Sequence, residues 1–352
     1  MLTIQTLSQR LAAVCGILVL VTVLFAGHCQ SGPSLVARTQ NLYVTQEGSL
    51  GDAASPGKYL RPAIADLTAA LPDVLVFPLT ASGDVAPTTS ISGSNTGLQG
   101  SSGSAFDASG NLYVTNIASN SVTVYAAGAS GDVAPISTIS GANTLLNNPE
   151  AVVLDSKGNI YVANFGAGGP TSGSVTIFSA GANGDVAPVS TITGSNANLG
   201  SPDGIALDAA GKIYVANVNG IGITVYAAGA NGNVAPVATI SGSNTGISSA
   251  AGVALDATGN IYVANGTAPS VTVYAPGTNG NIAPIATISG TTTTLDHPVA
   301  IALDALANIY VSDNGSNSVL IFAAGAHGNI APTAVISGAN TGFNSVRGVT
   351  VH

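Results

Sequence analysis

Short apolar runs alternate with turn-forming residues along most of the chain. The stretch from Gly252 to Gly290 shows this pattern most clearly. It contains four β-rich runs, GVALD, NIYVAN, SVTVYAP and IAPIATISG, and clusters of Gly, Asn, Asp, Thr and Pro separate them. Such runs are typical of strands, and such clusters are typical of tight turns. The stretch therefore predicts four short strands joined by turns.

The same four-strand unit recurs at a nearly constant spacing. The aspartate that ends its first run marks five units, at Asp107, Asp155, Asp208, Asp256 and Asp304, with spacings of 48, 53, 48 and 48 residues. A G-(D/N)-(V/I)-A-P motif in the fourth run occurs six times, beginning at Gly83, Gly131, Gly184, Gly232, Gly280 and Gly328. A period of this length indicates a repeat architecture, here with six units.

The two ends of the repeat region complement each other. GVTVH, from Gly348, is a first strand with nothing after it, whereas NLYV from Asn41, VLVF from Val74 and GDVAPTTSISG supply strands two to four. Together they make one complete unit, which we name the closing blade, and ring closure removes the exposed sheet edges. The sequence therefore predicts an all-β fold, a six-bladed β-propeller over residues 41–352 with four antiparallel strands per blade.

Residues that recur in every unit are predicted to build this ring. Two aromatic positions repeat around it, one at Tyr43, Tyr113, Tyr161, Tyr214, Tyr262 and Tyr310, the other at Phe77, Tyr125, Phe178, Tyr226, Tyr274 and Phe322. We expect both sets to fill the gaps between blades, where each ring buries a large apolar area. The marker aspartates begin tight hairpins such as DATGN, in which a carboxylate accepts turn N–H groups.

The N-terminal segment differs from the repeats. Arg10 is followed by an uncharged apolar run from Leu11 to Gly27, which is typical of a secretory signal or a membrane anchor. Cys29 suggests a lipoprotein, but His28 stands where bacterial lipoprotein signals place a small residue. We predict a signal peptide or anchor over residues 1–31, a short linker over residues 32–40, and a protein that is secreted or held in the cell envelope, in the periplasm or at the cell surface.

Composition narrows the range of partners. Charged residues make up 7% of the chain, and 16 acidic against 7 basic residues give a formal net charge of -9. A surface that binds nucleic acid needs clustered Lys and Arg, so a nucleic acid partner is not expected. Both cysteines, Cys15 and Cys29, lie in the N-terminal segment, so no disulfide or thiolate metal site is predicted for the propeller. Contact with a membrane is expected only through the N-terminal segment.

The phrase NIYVANGTAPSVTVYAPG, with LYVTNIASNSVTVYAAG in an earlier unit, resembles the NHL-repeat and YVTN-repeat propellers, and the resemblance covers residues 41–352. It implies a ring of six or seven blades. The Asp that usually ends the second strand of an NHL repeat is Asn116, Asn164, Asn217 and Asn265 here and remains acidic at Asp313. Related gluconolactonase-type and streptogramin-lyase-type propellers hold a metal at the channel mouth, but their motifs have no clear match. The resemblance therefore implies the fold of these families, and we do not extend their catalytic activity to this chain.

One face of the predicted ring carries loops that depart from the repeat. This top face holds the loops between strands two and three and those from strand four to the next first strand. Two insertions lie on it, Thr45 to Asp73 and Asn164 to Gly173. The first contains Lys58, Arg61 and a PAIADLTAALP segment that predicts a short helix. We interpret it either as a cover over blade edges or as a substrate lid.

The residue five positions before each marker aspartate, and before His352 at the equivalent place in the closing blade, should line the top end of the central channel. These six positions, which we name the rim, are Ser102, Glu150, Asp203, Ala251, Val299 and Arg347. Glu150 and Asp203 fall on adjacent blades, near Asn164 and Asn217. Such carboxylate and amide oxygens are ligands for a hard divalent cation such as Ca²⁺, whereas an alternative pairs Glu150 or Asp203 with Arg347. His297, in another top loop, is either a further member of the site or an exposed loop histidine.

Few ionisable groups remain once the repeated aspartates are assigned to turns, which favours binding over catalysis. The first hypothesis is a non-catalytic binding or interaction scaffold without a cofactor, whose top face takes a small molecule, a glycan or a protein. The second is a metal-dependent lactonase or lyase that uses Glu150, Asp203 and the asparagines that end the second strands, such as Asn164 and Asn217. The third is a structural component of a surface layer.

Overall fold

The structure is a computed structural model that describes residues 40–47, 73–169 and 172–352. The predicted signal or anchor, nearly all of the linker, and the part of the first insertion that contains Lys58, Arg61 and the PAIADLTAALP segment lie outside the described residues. In the ranges described, no helix is long and apolar enough to cross a membrane.

The described residues form six antiparallel sheets of four strands each. In chain order the strands are β1 (Asn41–Gln46), β2 (Val74–Pro78), β3 (Thr89–Ile91), β4 (Ser101–Phe106), β5 (Leu112–Asn116), β6 (Ser121–Tyr125), β7 (Ser137–Ile139), β8 (Pro149–Leu154), β9 (Ile160–Asn164), β10 (Ser174–Phe178), β11 (Ser190–Ile192), β12 (Pro202–Leu207), β13 (Ile213–Asn217), β14 (Gly222–Tyr226), β15 (Ala238–Ile240), β16 (Ala250–Leu255), β17 (Ile261–Asn265), β18 (Ser270–Tyr274), β19 (Ala286–Ser289), β20 (Pro298–Leu303), β21 (Ile309–Asp313), β22 (Ser318–Phe322), β23 (Ala334–Ile336) and β24 (Val346–Val351). Short 3₁₀ helices span Ala142–Thr144, Thr291–Thr293 and Ala339–Thr341.

The predicted six-bladed propeller is confirmed, and so is its shared closing blade. The closing blade has the strand order β24-β1-β2-β3, and blades 2 to 6 are β4 to β7, β8 to β11, β12 to β15, β16 to β19 and β20 to β23. The Asn41 backbone N–H donates to the His352 carbonyl at 2.7 Å, and the His352 N–H donates back at 3.0 Å. The first strand of each blade is innermost, and β24 lies against both β20 and β4, so the ring is complete.

Neighbouring inner strands approach each other backbone to backbone. The residue after each rim position is small, as Gly103, Ala151, Gly204, Gly252, Ala300 and Gly348. A Cβ added to Gly204 would lie 2.6 Å from the carbonyl oxygen of Ala251, and one added to Gly252 would lie 2.9 Å from the Cα of Ala300. Because these contacts leave no space for a side chain, Gly at these positions permits the narrow ring.

The hydrophobic core is divided into six clusters, one at each seam between blades. One cluster, for example, joins Tyr214 and Ile223 of blade 4 to Val253 and Tyr274 of blade 5. Strands of the NIYVA type are apolar because both of their faces are covered by neighbouring blades. The second aromatic ring is completely buried, with no exposed surface at Phe77, Tyr125, Phe178, Tyr226, Tyr274 or Phe322.

The G-(D/N)-(V/I)-A-P motif contributes less to the fourth strand than the sequence suggested. That strand has three or four residues, and the motif instead crosses to the preceding blade. Gly131 forms a parallel bridge with Ile91 of that blade, and the Asp132 carboxylate accepts hydrogen bonds from the Asn95 backbone N–H at 2.7 Å and from its Nδ2 at 3.0 Å. We name this ring of contacts the clasp; its acceptors are Asp84, Asp132, Asp185, Asn233, Asn281 and Asn329. The clasp occupies the outer edge of each blade, which protects an otherwise open strand.

The marker aspartates hold the hairpins, as predicted. Asp256 Oδ1 accepts from the backbone N–H groups of Thr258 and Asn260, both at 2.9 Å. Burial alone would raise the pKa of Asp256, but hydrogen bonds from Thr258 and Asn260 lower it below its usual value. These carboxylates are therefore committed to turns on the face opposite the top face.

Candidate functional site

A channel of about 420 Å³ runs between the six inner strands. Each inner strand begins at the top face with its rim residue in second position, so all six rim side chains lie at the same end of the channel. Further down, the lining includes the apolar side chains of Val153, Leu303 and Val351 and also Ser104 and Thr350, whose hydroxyl oxygens are 2.9 Å apart. Phe106 and His352 form the lower end, with their rings stacked at a centroid distance of 4.0 Å. The channel therefore has a charged upper mouth above a wall that mixes apolar and hydroxyl side chains.

Arg347 forms an ion pair at the rim with a residue that lies outside it. Its Nε donates to Glu47 Oε2 at 2.7 Å, and its Nη2 contacts the same oxygen. Glu47 follows the last residue of β1, and β24 carries Arg347 beside it in the closing blade. The Glu47 side chain is 8% exposed and that of Arg347 is 28% exposed. The sequence had offered Glu150 or Asp203 as the partner of Arg347, but the direct hydrogen bonds go to Glu47.

Glu150 and Asp203 nevertheless act on Arg347 through space. Burial alone would lower the pKa of the Arg347 guanidinium, but the charges of Glu47, Glu150 and Asp203 raise it above its usual value. Arg347, Glu47, Glu150 and Asp203 therefore lie close enough together for the three carboxylates to stabilise the charged form of the guanidinium. Arg347 stays protonated at any physiological pH.

Glu150 is buried in the rim, with 5% of its surface exposed. Its Oε2 accepts a hydrogen bond from the Ser102 hydroxyl at 2.9 Å, which links the rim residues of blades 2 and 3. Asp203, the rim residue of blade 4, is half-buried. The inner strands β8 and β12 that carry the two carboxylates lie against each other, so Glu150 and Asp203 are neighbours at one level of the channel.

The structure does not bring Asn164 and Asn217 to the channel. Both side chains are completely buried inside their own blades. The Asn164 amide oxygen accepts from the Asn147 N–H at 3.1 Å, and the Asn217 amide oxygen accepts from the Gly200 N–H at 3.0 Å. Because these oxygens hold the top-face loops, they do not complete a ligand set with Glu150 and Asp203.

His297 also lies away from the channel lining. It is half-buried in the loop before β20, and its Nδ1 is 2.9 Å from the Gly266 carbonyl oxygen of the neighbouring blade. Its backbone N–H donates to the Asp313 carboxylate, the acidic member of the asparagine series. His297 is therefore part of a loop contact between blades 5 and 6.

The rim offers oxygen donors, which are the ligands that a hard divalent cation takes. Across the ranges that the structure describes, no group of three or more His, Cys, Asp and Glu side chains is placed to hold a metal ion. The described rim supplies the carboxylates of Glu150 and Asp203 and the Ser102 hydroxyl, whereas Ca²⁺ takes six to eight oxygen ligands.

Sequence reasoning missed the role of Glu47, although a signal for it was present. The corresponding positions after the second strands of blades 2 to 6 are Ile117, Phe165, Val218, Gly266 and Asn314, so an acid at this point departs from the repeat. Grouping Glu47 with the insertion concealed this departure. Comparing it with the other blades would have placed it next to the rim.

Comparison with known proteins shows the fold alone. No family model matches the chain, and no curated protein matches it. A chain in the crystal structure of a nidogen/laminin complex has a TM-score of 0.59 at 15% sequence identity, with 89% of this chain and 98% of that chain covered. A protein of unknown function from Bacteroides caccae has a TM-score of 0.60 at 10% identity, with the same coverage of 89% and 98%. The WD40 β-propeller domain of Doa1 has a TM-score of 0.50 at 13% identity, with 76% and 79% covered. These structures establish a β-propeller, while the likeness to NHL and YVTN repeats stays a resemblance of sequence.

Proposed function

We propose that this protein is a non-catalytic binding scaffold that takes its ligand or partner at the top mouth of the channel. One observation carries the proposal: the rim positions are structurally equivalent but chemically different, and they surround a cavity. A ring position whose side chain varies from blade to blade is free of the architectural demands of the repeat. Pockets of this size that combine apolar surface with a small number of polar groups are typical of ligand sites.

Binding accounts for the site better than catalysis does. The hairpin aspartates and the clasp residues accept hydrogen bonds from backbone N–H groups, which commits them to the fold. At the rim, Arg347 is bonded to Glu47, and Glu150 accepts from Ser102. A metal-dependent lactonase or lyase would need further ligands that the described rim does not provide. The nidogen/laminin complex supports a protein as one class of partner, since it contains a propeller of similar fold in a protein complex.

The proposal is tested by filling the mouth. Val299→Trp places a large side chain at a rim position that is half-buried. The matched control is Val237→Trp on the outer edge, where the side chain is 58% exposed. A fragment set of small amines, acids and sugars, followed by NMR line broadening, should bind the wild type and the control but not Val299→Trp. Binding that survives in Val299→Trp, with an unchanged melting temperature, would contradict the proposal.

A second candidate function is association with further copies of the chain, as in a surface layer. Four consecutive blades expose an apolar side chain at one outer position, Ile136, Val189, Val237 and Ile285, each more than half exposed. The other two blades have Thr88 and Thr333 there. Replacing Val237 and Ile285 by Thr should abolish concentration-dependent association in sedimentation velocity, and a wild-type protein that stays monomeric would exclude this candidate.

We also propose that the chain is exported. The support is the uncharged apolar run from Leu11 to Gly27 and the small residues that follow it. The intact mass of the protein recovered from each cell fraction decides between cleavage, lipidation at Cys29 and a retained anchor. A full-length protein confined to the cytoplasm would refute export.

A further inference from the structure

Another cavity lies outside the channel, at the seam between blades 4 and 5. It has a volume of about 470 Å³, and we name it the seam pocket. Tyr214, Val225 and Val237 of blade 4 line it, together with Ile261 and Asn279 of blade 5. Its lining also includes the hairpin between β12 and β13, which places it towards the face opposite the top face. The seam pocket is therefore separate from the rim.

Blade 4 departs from the repeat at this pocket. The position four residues after the marker aspartate is Asn in blades 2, 3, 5 and 6 and Lys212 in blade 4. Each of those asparagines donates its Nδ2 to the marker carboxylate at 2.8 Å. The Lys212 ammonium makes no hydrogen bond or ion pair with any described residue, and the exposed side chain lines the seam pocket. The hairpin therefore does not use this cation.

The marker aspartate of this hairpin is held by its own turn. Asp208 Oδ1 accepts from the backbone N–H groups of Ala210 and Lys212 at 2.9 and 2.8 Å. Among the described residues that line the seam pocket, Lys212 alone is charged. The amide oxygen of Asn279 accepts from the Thr239 N–H at 3.0 Å, which leaves the Asn279 Nδ2 as a donor. Lys212 and Asn279 therefore both offer hydrogen-bond donors to the pocket.

The equivalent cavity between blades 2 and 3 differs in its charge. It has a volume of about 310 Å³, and its lining includes Asp107 and Asn111. The Asn111 Nδ2 donates to Asp107 at 2.8 Å, so both side chains are committed to the turn. Ile136 stands there in the place of Val237, so both cavities have an apolar wall. The Lys212 ammonium is what distinguishes the seam pocket.

We infer that the seam pocket binds a small organic carboxylate whose apolar chain lies against Val225, Val237 and Ile261. The carboxylate accepts hydrogen bonds from the Lys212 ammonium and the Asn279 amide, and such charge-assisted bonds are stronger than neutral ones. Each CH₂ group of the chain that leaves water raises the affinity by roughly fourfold. This inference goes beyond the proposed function, because the seam pocket and the channel mouth are different sites.

The test follows methyl signals of the full chain by NMR while hexanoate, hexanol or hexylammonium is titrated. Val237 and Ile261 report the seam pocket, Ile136 reports the equivalent cavity, and Val299 reports the channel mouth. We expect hexanoate to shift the seam signals with an affinity about threefold to fivefold higher than that of hexanol, as an exposed ion pair allows. Hexylammonium should bind least there. This order is diagnostic because a chain with a formal net charge of -9 attracts cations overall.

Lys212→Asn is the central variant, because it restores the residue that the hairpins of blades 2, 3, 5 and 6 carry and should leave the melting temperature unchanged. It should reduce the affinity for hexanoate to that for hexanol and leave hexanol binding as it is. Lys212→Arg keeps the cation and serves as the matched control. Binding at the seam survives Val299→Trp, and its methyl shifts separate it from binding at the mouth.

The outcomes that contradict the inference are distinct from those that contradict the proposed function. Equal affinities of hexanoate and hexanol at the seam, or a hexanoate preference that persists in Lys212→Asn, would overturn the inference. Hexanoate shifts at Ile136 as large as those at Val237, or no seam shift with any probe, would also overturn it. Hexanoate shifts confined to Val299 would overturn the inference and support binding at the channel mouth.

Discussion

The clasp and the rim are both rings of six equivalent positions, and they differ in what the repeat requires of them. Every clasp residue is Asp or Asn, and each accepts a backbone N–H from a turn of the preceding blade. The rim has two small or apolar residues, one Ser, two acids and one Arg. Uniform chemistry marks positions that build the ring, and varied chemistry marks positions that the ring leaves open to function.

The clasp is uniform and the rim is varied because their side chains contact different partners. A clasp residue always faces the same backbone donor, and a carboxylate or an amide oxygen serves it equally well. A rim residue faces the channel, where the repeat supplies no fixed partner. The contacts at the rim are consequently individual, such as Ser102 with Glu150 and Arg347 with Glu47.

Deleting residues 348–352 should have the largest effect, because it removes most of β24 and breaks both rings at once. The closing blade would lose the partner of β1 and the buried Val349. We expect a loss of at least about 5 kcal/mol, since burying one such strand involves several core side chains worth roughly 1 to 3 kcal/mol each. Thermal unfolding followed by circular dichroism measures the change, with deletion of His352 alone as control. An unchanged melting temperature would rule out the shared blade.

Alkaline pH should weaken the seams in which Tyr supports the clasp. Tyr125 donates to the Thr96 carbonyl at 2.6 Å, in the same turn that Asp132 holds, and burial raises its pKa to about 12 from 10.0. A raised pKa stabilises the folded protein below pH 10, and this contribution is lost as the pH rises from 10 to 12. Ionisation of Tyr125 should cost roughly 2 to 3 kcal/mol by pH 12.

Tyr125→Phe isolates that alkaline effect, because blade 3 already has Phe178 at the equivalent position. The variant should lose about 1 kcal/mol at pH 7 through the missing hydrogen bond. It should also lose less stability than the wild type between pH 10 and pH 12. Urea unfolding at several pH values, with absorbance at 295 nm to follow tyrosine ionisation, gives both numbers. Parallel pH profiles for the two proteins would contradict the assignment.

Arg347→Met should destabilise the rim by about 1 to 2 kcal/mol at pH 7, a discounted value because the pair is partly exposed. The variant leaves Glu47, Glu150 and Asp203 without the cation that they surround. The deficit should shrink at high salt, because salt screens the attraction between partly exposed charges. Arg347→Lys keeps the charge and serves as control. A deficit that does not depend on ionic strength would show that packing, and not charge, holds Arg347 in place.

Asp132→Asn should have the smallest effect, within about 0.5 kcal/mol, because blades 4 to 6 already use Asn in the clasp. Asp132→Ala removes the acceptor and should cost about 1 kcal/mol. Urea unfolding at pH 7 distinguishes the two. A large loss in Asp132→Asn would mean that the clasp depends on charge, and the comparison with the rim would then fail.

Much of the fold could be predicted because each repeat is defined by residues that lie close together in the chain. A period of 48 residues, six G-(D/N)-(V/I)-A-P motifs and a lone first strand at Gly348 determined the number of blades and the shared closing blade. The hairpin role of Asp256 followed as well, since its donors lie within four residues. These features depend on neighbours in the chain or on the same unit repeated.

The candidate site could be predicted in part. Counting back five residues from the five marker aspartates and from His352, which stands at the equivalent position of the closing blade, placed all six rim residues on the channel, because every inner strand enters the ring in the same register. The predicted partners were less reliable. Asn164 and Asn217 end their strands near the top face, but their amide oxygens bind the loops of their own blades. Periodicity reports the position of a residue and not the direction in which its side chain turns.

The sequence by itself determined the ring, its closure and the residues that stand at its mouth. Only the tertiary structure decided which of them meet: Arg347 bonds Glu47 across 300 positions of the chain, and Asp132 holds a turn of the preceding blade. Contacts within a repeat are selected by short-range backbone geometry, which a pattern of residues encodes. Contacts across the closing blade exist only after the ends of the ring have paired, and they depend on which charges that pairing brings within reach of each other.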